Sequence, residues 1–477
     1  MRSGSRGDLG RSSGAAVVFA ALAVLVALLA GCGGQNVQRN QSTQRSRSAP
    51  PHTTVSATTT PLPRAAHAKY ARVAVKIPAA NRAYGQTHTM TLPRGWTAEV
   101  WALIPGARLE AWTPQGDLLV TQPSGGMITE LVPRARRSQP PLGRTIVSGL
   151  NNPQGMAFDR VGGHEVLYVA ESDELVRYQW LGHGVGARTV VLPNLPDGGA
   201  HPLKNVAVGR DHTVYVDVGS ATNASLPDPG GIPRASVLAY RPGNKRARVF
   251  ATGVRNGDGL SIAPDGSLWT AVNERDDIAY PFHRAYGGQS DAYGQVMQAY
   301  VDNHPPDEVA RVTAGRNLGW PFCDPDPDVK PGRADTAEDF GNMRFDADAQ
   351  TNSGGRQLDC AKLPRIERGL PAHSAPLGFN FLGGSSLRSP WNAGAVVAVH
   401  GSWDRQPPRA PAVLWLPWNA RTRTLGNAIT LVGGFQEPNG SRWGRTVDAV
   451  PGPDGALYVS DDQAGAIYRI VPAKTAG

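Results

Sequence analysis

No stretch of this 477-residue chain interleaves basic with aromatic side chains as a nucleic-acid groove does, so that class of partner is not expected. Cysteine is scarce, at three residues, which excludes a scaffold held by many disulfides. Long apolar runs are also missing. The one candidate, Ala15 to Ala30, is too short and too poorly flanked for a stable membrane span. Long helices are disfavoured by 56 Gly and 40 Pro, a composition that suits many short strands joined by turns.

The apolar run has a different use. Arg2, Arg6 and Arg11 precede it, and it ends in Leu29-Ala30-Gly31-Cys32. This resembles the bacterial lipoprotein signal, in which the Cys becomes the lipidated first residue of the mature chain. Residues 1–31 are therefore expected to be a signal peptide. Cys32 is then a lipid anchor on the extracytoplasmic face of the cell membrane. Lipidation leaves Cys323 and Cys360, which outside the cytoplasm most simply form one disulfide, stabilising by about 3–4 kcal/mol.

Residues 32–66 are Gln, Ser, Thr, Arg and Pro with almost no apolar side chains. Such a segment cannot bury enough surface to order itself, so it reads as a disordered tether. Its Arg39, Arg45, Arg47 and Arg64 supply part of a formal net charge of +9 and suit an anionic membrane surface.

From 67 to 477 the chain repeats itself. "EAWTPQGDLLVTQ" from Glu110, "VAVGRDHTVYVDVGS" from Val206, "LSIAPDGSLWTAVNERD" from Leu260 and "VDAVPGPDGALYVSDD" from Val447 share one order of parts. Each has a short apolar strand, a tight turn and an alternating strand. Longer copies start at Met156 and Leu377. Pro114, Asp159, Gly209 and Pro264 mark spacings of 45, 50 and 55 residues, the period of a β-propeller blade. The expected fold is all-β, a six-bladed β-propeller preceded by the tether. The strand from Ala98 should pair with "AIYRIV" from Ala466 to close the ring. Residues 276–375 should be a long insertion with the remaining strands of the fourth and fifth blades.

In such a ring the residues entering each innermost strand meet at one end of the axis. Those entries hold Pro153-Gln154, His201 to Lys204, Arg255 to Asp258, Ser374 to Pro376 and Arg442 to Arg445. A cluster of bases at a ring centre is costly unless an anion resolves it, and Arg binds carboxylates in bidentate fashion. A metal-dependent lactonase would instead need several carboxylates there. Asp461-Asp462 and Asp276-Asp277 read as turn caps, and His400 as a buried, satisfied histidine.

At this point the chain resembles the glucose/sorbosone dehydrogenase family, soluble quinoproteins with a six-bladed propeller and pyrroloquinoline quinone (PQQ) as cofactor. The residues that carry the resemblance are "ATGVRNGDGLSIAPDGSLWTAVNERD", "PDEVARVTAGRNLGWPFC", "VVAVHGSWDRQPP" and "RWGRTVDAVPGPDGALYVSDDQAGAIYRI". The sorbosone dehydrogenase-like branch is the nearest in pattern. The resemblance implies oxidation of an aldose or sugar aldehyde by hydride transfer to PQQ, with His201 as the base. Asn256, Arg442 and Arg445 would hold the cofactor. Ca2+ would sit on backbone carbonyls of the loop starting around Asn273, including Glu274 and Arg275. Where the family carries a cofactor-facing Lys, this chain has His400-Gly401-Ser402-Trp403, and Lys204 or Arg405 would take over that charge. Asp258 places an acid where an uncharged residue is common. The sequence does not identify the substrate or the electron acceptor. The alternative is a non-catalytic carbohydrate-binding or scaffold propeller lipoprotein.

Overall fold

A computed structural model of the chain describes residues 68–136, 139–224 and 233–473. The expected signal, Cys32 and the whole of the 32–66 tether lie outside the described residues.

Alternation within each strand sends neighbouring side chains to opposite faces of a sheet, so a twisted four-stranded sheet offers two apolar faces. In the second strand of blade 2, Leu167 and Val169 join a cluster with Leu119 and Ile128 of blade 1. Their neighbours Val166, Tyr168 and Ala170 join Val214, Val216 and Leu238 of blade 3. The same rule carries the packing around the ring. Apolar clusters join blade 3 to 4, 4 to 5, 5 to 6 and 6 to 1 in turn. Large aromatics fill the wedges: Trp112 meets Tyr458 edge-on at 5.0 Å across the blade 6–1 boundary.

Blade 1 starts with Glu110–Trp112 and blade 2 with Met156–Val161. Blade 3 starts with Val206–Val208, blade 4 with Gly259–Ile262, blade 5 with Pro376–Phe381 and blade 6 with Thr446–Pro451. The sheets confirm six blades. Closure is also as expected, because Thr97–Leu103 pairs antiparallel with Ala466–Val471 and supplies the outer strand of blade 6. Left-handed backbone at Gly266 and Gly455 makes the tight inner turns of blades 4 and 6, and His212 takes the same conformation in blade 3.

One expectation is corrected. Residues 276–375 contribute strands to blade 4 alone, Asp307–Val312 and Ile366–Leu370, and blade 5 begins only at Pro376. The extra pair Cys323–Asp326 and Gly341–Ala347 extends blade 4 outward to six strands, so the insertion grows on the outer edge and leaves the ring unbroken. The Cys323–Cys360 disulfide forms as expected inside this extension.

Candidate active site

Six innermost strands converge on a cavity of about 50 Å³ lined by Glu110, Met156, Val206, Leu260, Phe379 and Asp448, one from each blade. At one end of this axis the inter-blade loops meet, and their polar side chains form a connected ring. Arg108 Nη1 lies 3.1 Å from Asp462 Oδ2, and its Nη2 donates to Gln154 Oε1 at 3.0 Å. Gln154 Nε2 donates to Asp258 Oδ1 at 2.8 Å, and Asn256 lies 3.4 Å from Asp258 Oδ2. On the other side of Asp462, its Oδ1 contacts His400 Nε2 at 2.9 Å, and the His400 carbonyl accepts from Arg445 Nε at 3.1 Å. Asp258, the unexpected acid, is thereby held by neutral amides and by the Arg108 charge.

His201 enters this ring beside Asn256. A Cβ on Gly219 would stand 2.6 Å from His201 Cβ and 3.2 Å from Asn256 Oδ1, so only glycine lets the two side chains come so close. The tautomer of His201 follows from its partners. Nδ1 lies 3.1 Å from the Ser220 carbonyl and 2.9 Å from Ser220 Oγ. That hydroxyl donates its own hydrogen to Thr222 O at 2.7 Å. Both Ser220 atoms must therefore accept, and Nδ1 carries the proton. Nε2 keeps its lone pair and has no partner among the described residues. Burial, with the Arg255 charge, pushes the imidazole down to about 3, so it is neutral by environment and not by its ordinary pKa.

The other expected residues fall in varied places. Lys204 is fully buried, and Nζ donates to Pro196 O at 2.7 Å and Pro202 O at 2.9 Å. Arg405 Nε donates to Asp302 O at 2.9 Å and Nη1 to Pro407 O. Both cations thus clamp loop backbone: the buried Lys204 ammonium must find acceptors where water is absent, and the half-buried Arg405 ties two loop carbonyls together. Their hydrogen bonds run to backbone carbonyls and not to the polar ring of the mouth. Arg442 donates to Gln436 Oε1 at 3.0 Å and to the Ser402 and Arg409 carbonyls. Arg445 is half-buried, its backbone N–H held by Asp461 Oδ1 at 2.9 Å. The carbonyls of Asn273 and Glu274 both accept from Arg255 Nη1, at 2.9 and 2.8 Å, so one guanidinium aligns them side by side. The Glu274 carboxyl is buried and pushed up to about 8 by that burial, against the pull of Arg255. The Arg275 side chain is a buried ion-pair partner of Asp348, which leaves only its carbonyl for a metal.

Sequence reasoning missed Arg108, which precedes the first repeat and shows no motif. It also underread Asp462. Asp461 caps the turn through Arg445 N and Ala464 N, but Asp462 is the hinge of the polar ring. Trp403, half exposed at 54%, stands on the rim in the loop between His400 and Arg405.

A closed six-bladed propeller with a neutral, buried histidine at a polar axial mouth defines the class. Residues 90–473 match the family model described as TrAA12-like, and the chain belongs to that family. It is 28% identical over 263 residues to an uncharacterized protein of Borreliella burgdorferi. It is also 28% identical over 255 residues to a pyrroloquinoline quinone-dependent pyranose dehydrogenase of Coprinopsis cinerea. These matches cover 55% and 47% of this chain, but only 58% and 31% of the two relatives. The fold is similar to the holo form of the PQQ domain of the Coprinopsis cinerea pyranose dehydrogenase, with TM-score 0.62, 20% identity, and coverage of 81% of this chain and 97% of that one. It is equally similar to a family AA12 enzyme of Trichoderma reesei, with TM-score 0.63, 18% identity, and coverage of 80% and 97%.

The donor set fits an anionic, carbonyl-rich cofactor. An unpartnered imidazole nitrogen, the Asn256 amide and the Arg108, Arg255 and Arg445 charges all sit at one mouth. The Asn273 and Glu274 carbonyls are hard oxygen donors of the kind Ca2+ takes, and each already accepts one hydrogen bond from the Arg255 guanidinium.

Proposed function

We propose that this chain is an exported, lipid-anchored oxidoreductase that oxidises an aldose or sugar aldehyde with PQQ and Ca2+. In this reading residues 1–31 are removed, Cys32 is lipidated, and 32–66 tether the propeller to the extracytoplasmic membrane face. The observation that carries the reading is the state of His201: neutral, protonated on Nδ1, with the Nε2 lone pair presented at the axial mouth. The histidine then takes the proton of a sugar hydroxyl at Nε2 while Ser220 holds the ring in the productive tautomer. PQQ, when bound, supplies the two-electron acceptor for the hydride. Asn256, Arg445 and Arg108 would orient its oxygens, the Asn273 and Glu274 carbonyls would hold Ca2+, and Trp403 offers a flat face on which a pyranose can stack.

A second reading, a carbohydrate-binding scaffold without redox chemistry, draws support from Lys204, Arg405 and Arg442, whose donors clamp backbone carbonyls. Reconstitution separates the two. Purified protein with PQQ and Ca2+ should reduce a dye with at least one sugar of a panel, and His201→Ala should abolish that activity while leaving the fold intact. Absence of PQQ binding by absorbance and thermal shift would leave the scaffold.

A further inference from the structure

Three loops on the mouth side bring Asp276, His373 and Asp404 together, with ligand atoms within 4.8 Å of one another. Asp276 follows the second strand of blade 4, His373 precedes blade 5, and Asp404 follows the second strand of blade 5. His373 Nε2 lies 2.6 Å from Val301 O and 3.1 Å from His304 O. Carbonyls only accept, so Nε2 carries the hydrogen and Nδ1 is the nitrogen left for a metal. Its lone pair is free once the ring gives up the second proton that the facing carboxylates favour against burial. That lone pair faces Asp404 Oδ1 at 3.3 Å and Asp276 Oδ1 at 3.7 Å, three acceptors around one point. Side chains of His373 and Asp404 are each only 3% exposed, and among the described residues neither Asp404 oxygen has a hydrogen-bond partner.

We propose that Asp276, His373 and Asp404 bind a divalent transition-metal cation of the zinc class. Ligands held tetrahedrally at about 2.1 Å from such an ion are roughly 3.4 Å apart, which the two nitrogen–oxygen separations bracket. Imidazole with two carboxylates suits Zn2+ or Mn2+ better than Ca2+, which takes a larger all-oxygen shell. Two carboxylates and a neutral ring balance the ion's charge. Arg255 touches Asp276 at Oδ2, 3.5 Å away, and among the described residues no Arg or Lys forms an ion pair with Asp276 Oδ1 or with Asp404. The neighbouring cluster of His304, Asp326 and Asp328 differs in this respect, because Arg344 pairs with Asp326 and Thr336 donates to Asp328. The site shares Arg255 with the Asn273 and Glu274 carbonyls but uses other ligand atoms, the side chains of Asp276, His373 and Asp404, and does not depend on the quinone reading.

The test uses untagged mature chain stripped with a chelator, without PQQ, and titrates Zn2+, Mn2+ and Ca2+ by calorimetry and thermal shift. Zn2+ should bind at one equivalent per chain and raise Tm, with Ca2+ at least about tenfold weaker. Asp404→Asn, whose side chain gives up no hydrogen bond, should fold normally and weaken Zn2+ at least about tenfold, and His373→Gln likewise. No stoichiometric Zn2+ binding would overturn the site, as would unchanged affinity in Asp404→Asn. An NMR signal from a proton on His373 Nδ1 that persists under saturating Zn2+ would also overturn it, in favour of an imidazolium between two carboxylates. With no quinone present, failure here leaves the oxidoreductase reading standing, and failed PQQ reconstitution leaves the metal result standing.

Discussion

Arg108 Nη1 stands 3.1 Å from Asp462 Oδ2, so a residue just before blade 1 is tied to one just after the second strand of blade 6. The same carboxylate receives His400, and burial works against its charge less than the His400 hydrogen bond and the Arg108 charge favour it, leaving Asp462 below the usual carboxylate range. Asp462→Asn leaves a partly buried guanidinium without its anion. Stability should fall by about 2 kcal/mol, seen as a lower urea midpoint at unchanged m-value. A variant as stable as the parent would show that strand pairing alone closes the ring.

His201 sets a pH dependence whose sign follows from its lowered pKa. Burial brings the folded value to about 3, below the usual 6.5, so the unfolded chain binds more protons between those limits. This contribution is complete above pH 6.5 and is lost as the pH falls toward 3. At pH 5 the loss should be roughly 2 kcal/mol. His201→Gln should flatten the acid limb of a Tm-against-pH curve; an identical slope in both proteins would contradict the buried neutral ring.

Catalysis, once reconstituted, should separate the base from its holder. His201→Gln is expected to lower kcat by about 10³-fold, the usual range for a general base. Ser220→Ala keeps the carbonyl at 3.1 Å from Nδ1 and should cost only about tenfold. Equal losses would mean that the hydroxyl meets the substrate itself.

The disulfide closes a loop with a sequence separation of 37 in the outer extension of blade 4. Replacing Cys323 and Cys360 by Ser together should destabilise by up to about 4 kcal/mol. PQQ affinity should be unchanged, because the bridge ties an added strand to the short 3-10 helix Cys360–Lys362 outside the ring. A parallel loss of quinone binding would place the extension in the cofactor site.

Cys32→Ser should stop metabolic labelling by palmitate and release the propeller from the membrane fraction. Retention of label would exclude lipidation at that residue.

Much of the fold was legible because blades repeat. Val214, Tyr215 and Val216 alternate between two neighbours, and turn residues recur after every first strand, so local chemistry repeats the global plan. The blade 4 extension was misassigned because its strands Cys323–Asp326 and Gly341–Ala347 have no counterpart in other blades. Side-chain roles were less legible. Asn256 and His201 were placed correctly at one mouth, yet Lys204 and Arg405 look the same in sequence whether they face a ligand or a carbonyl.

The sequence by itself determined six similar sheets, their closure by an N-terminal strand and the pairing of two cysteines, since each rests on local periodicity or on elimination. Only the tertiary structure decided which charges face one another. Arg108 and Asp462 are 354 residues apart, and Asp276, His373 and Asp404 come from three loops; proximity of that kind is created by ring closure, and no local pattern encodes it.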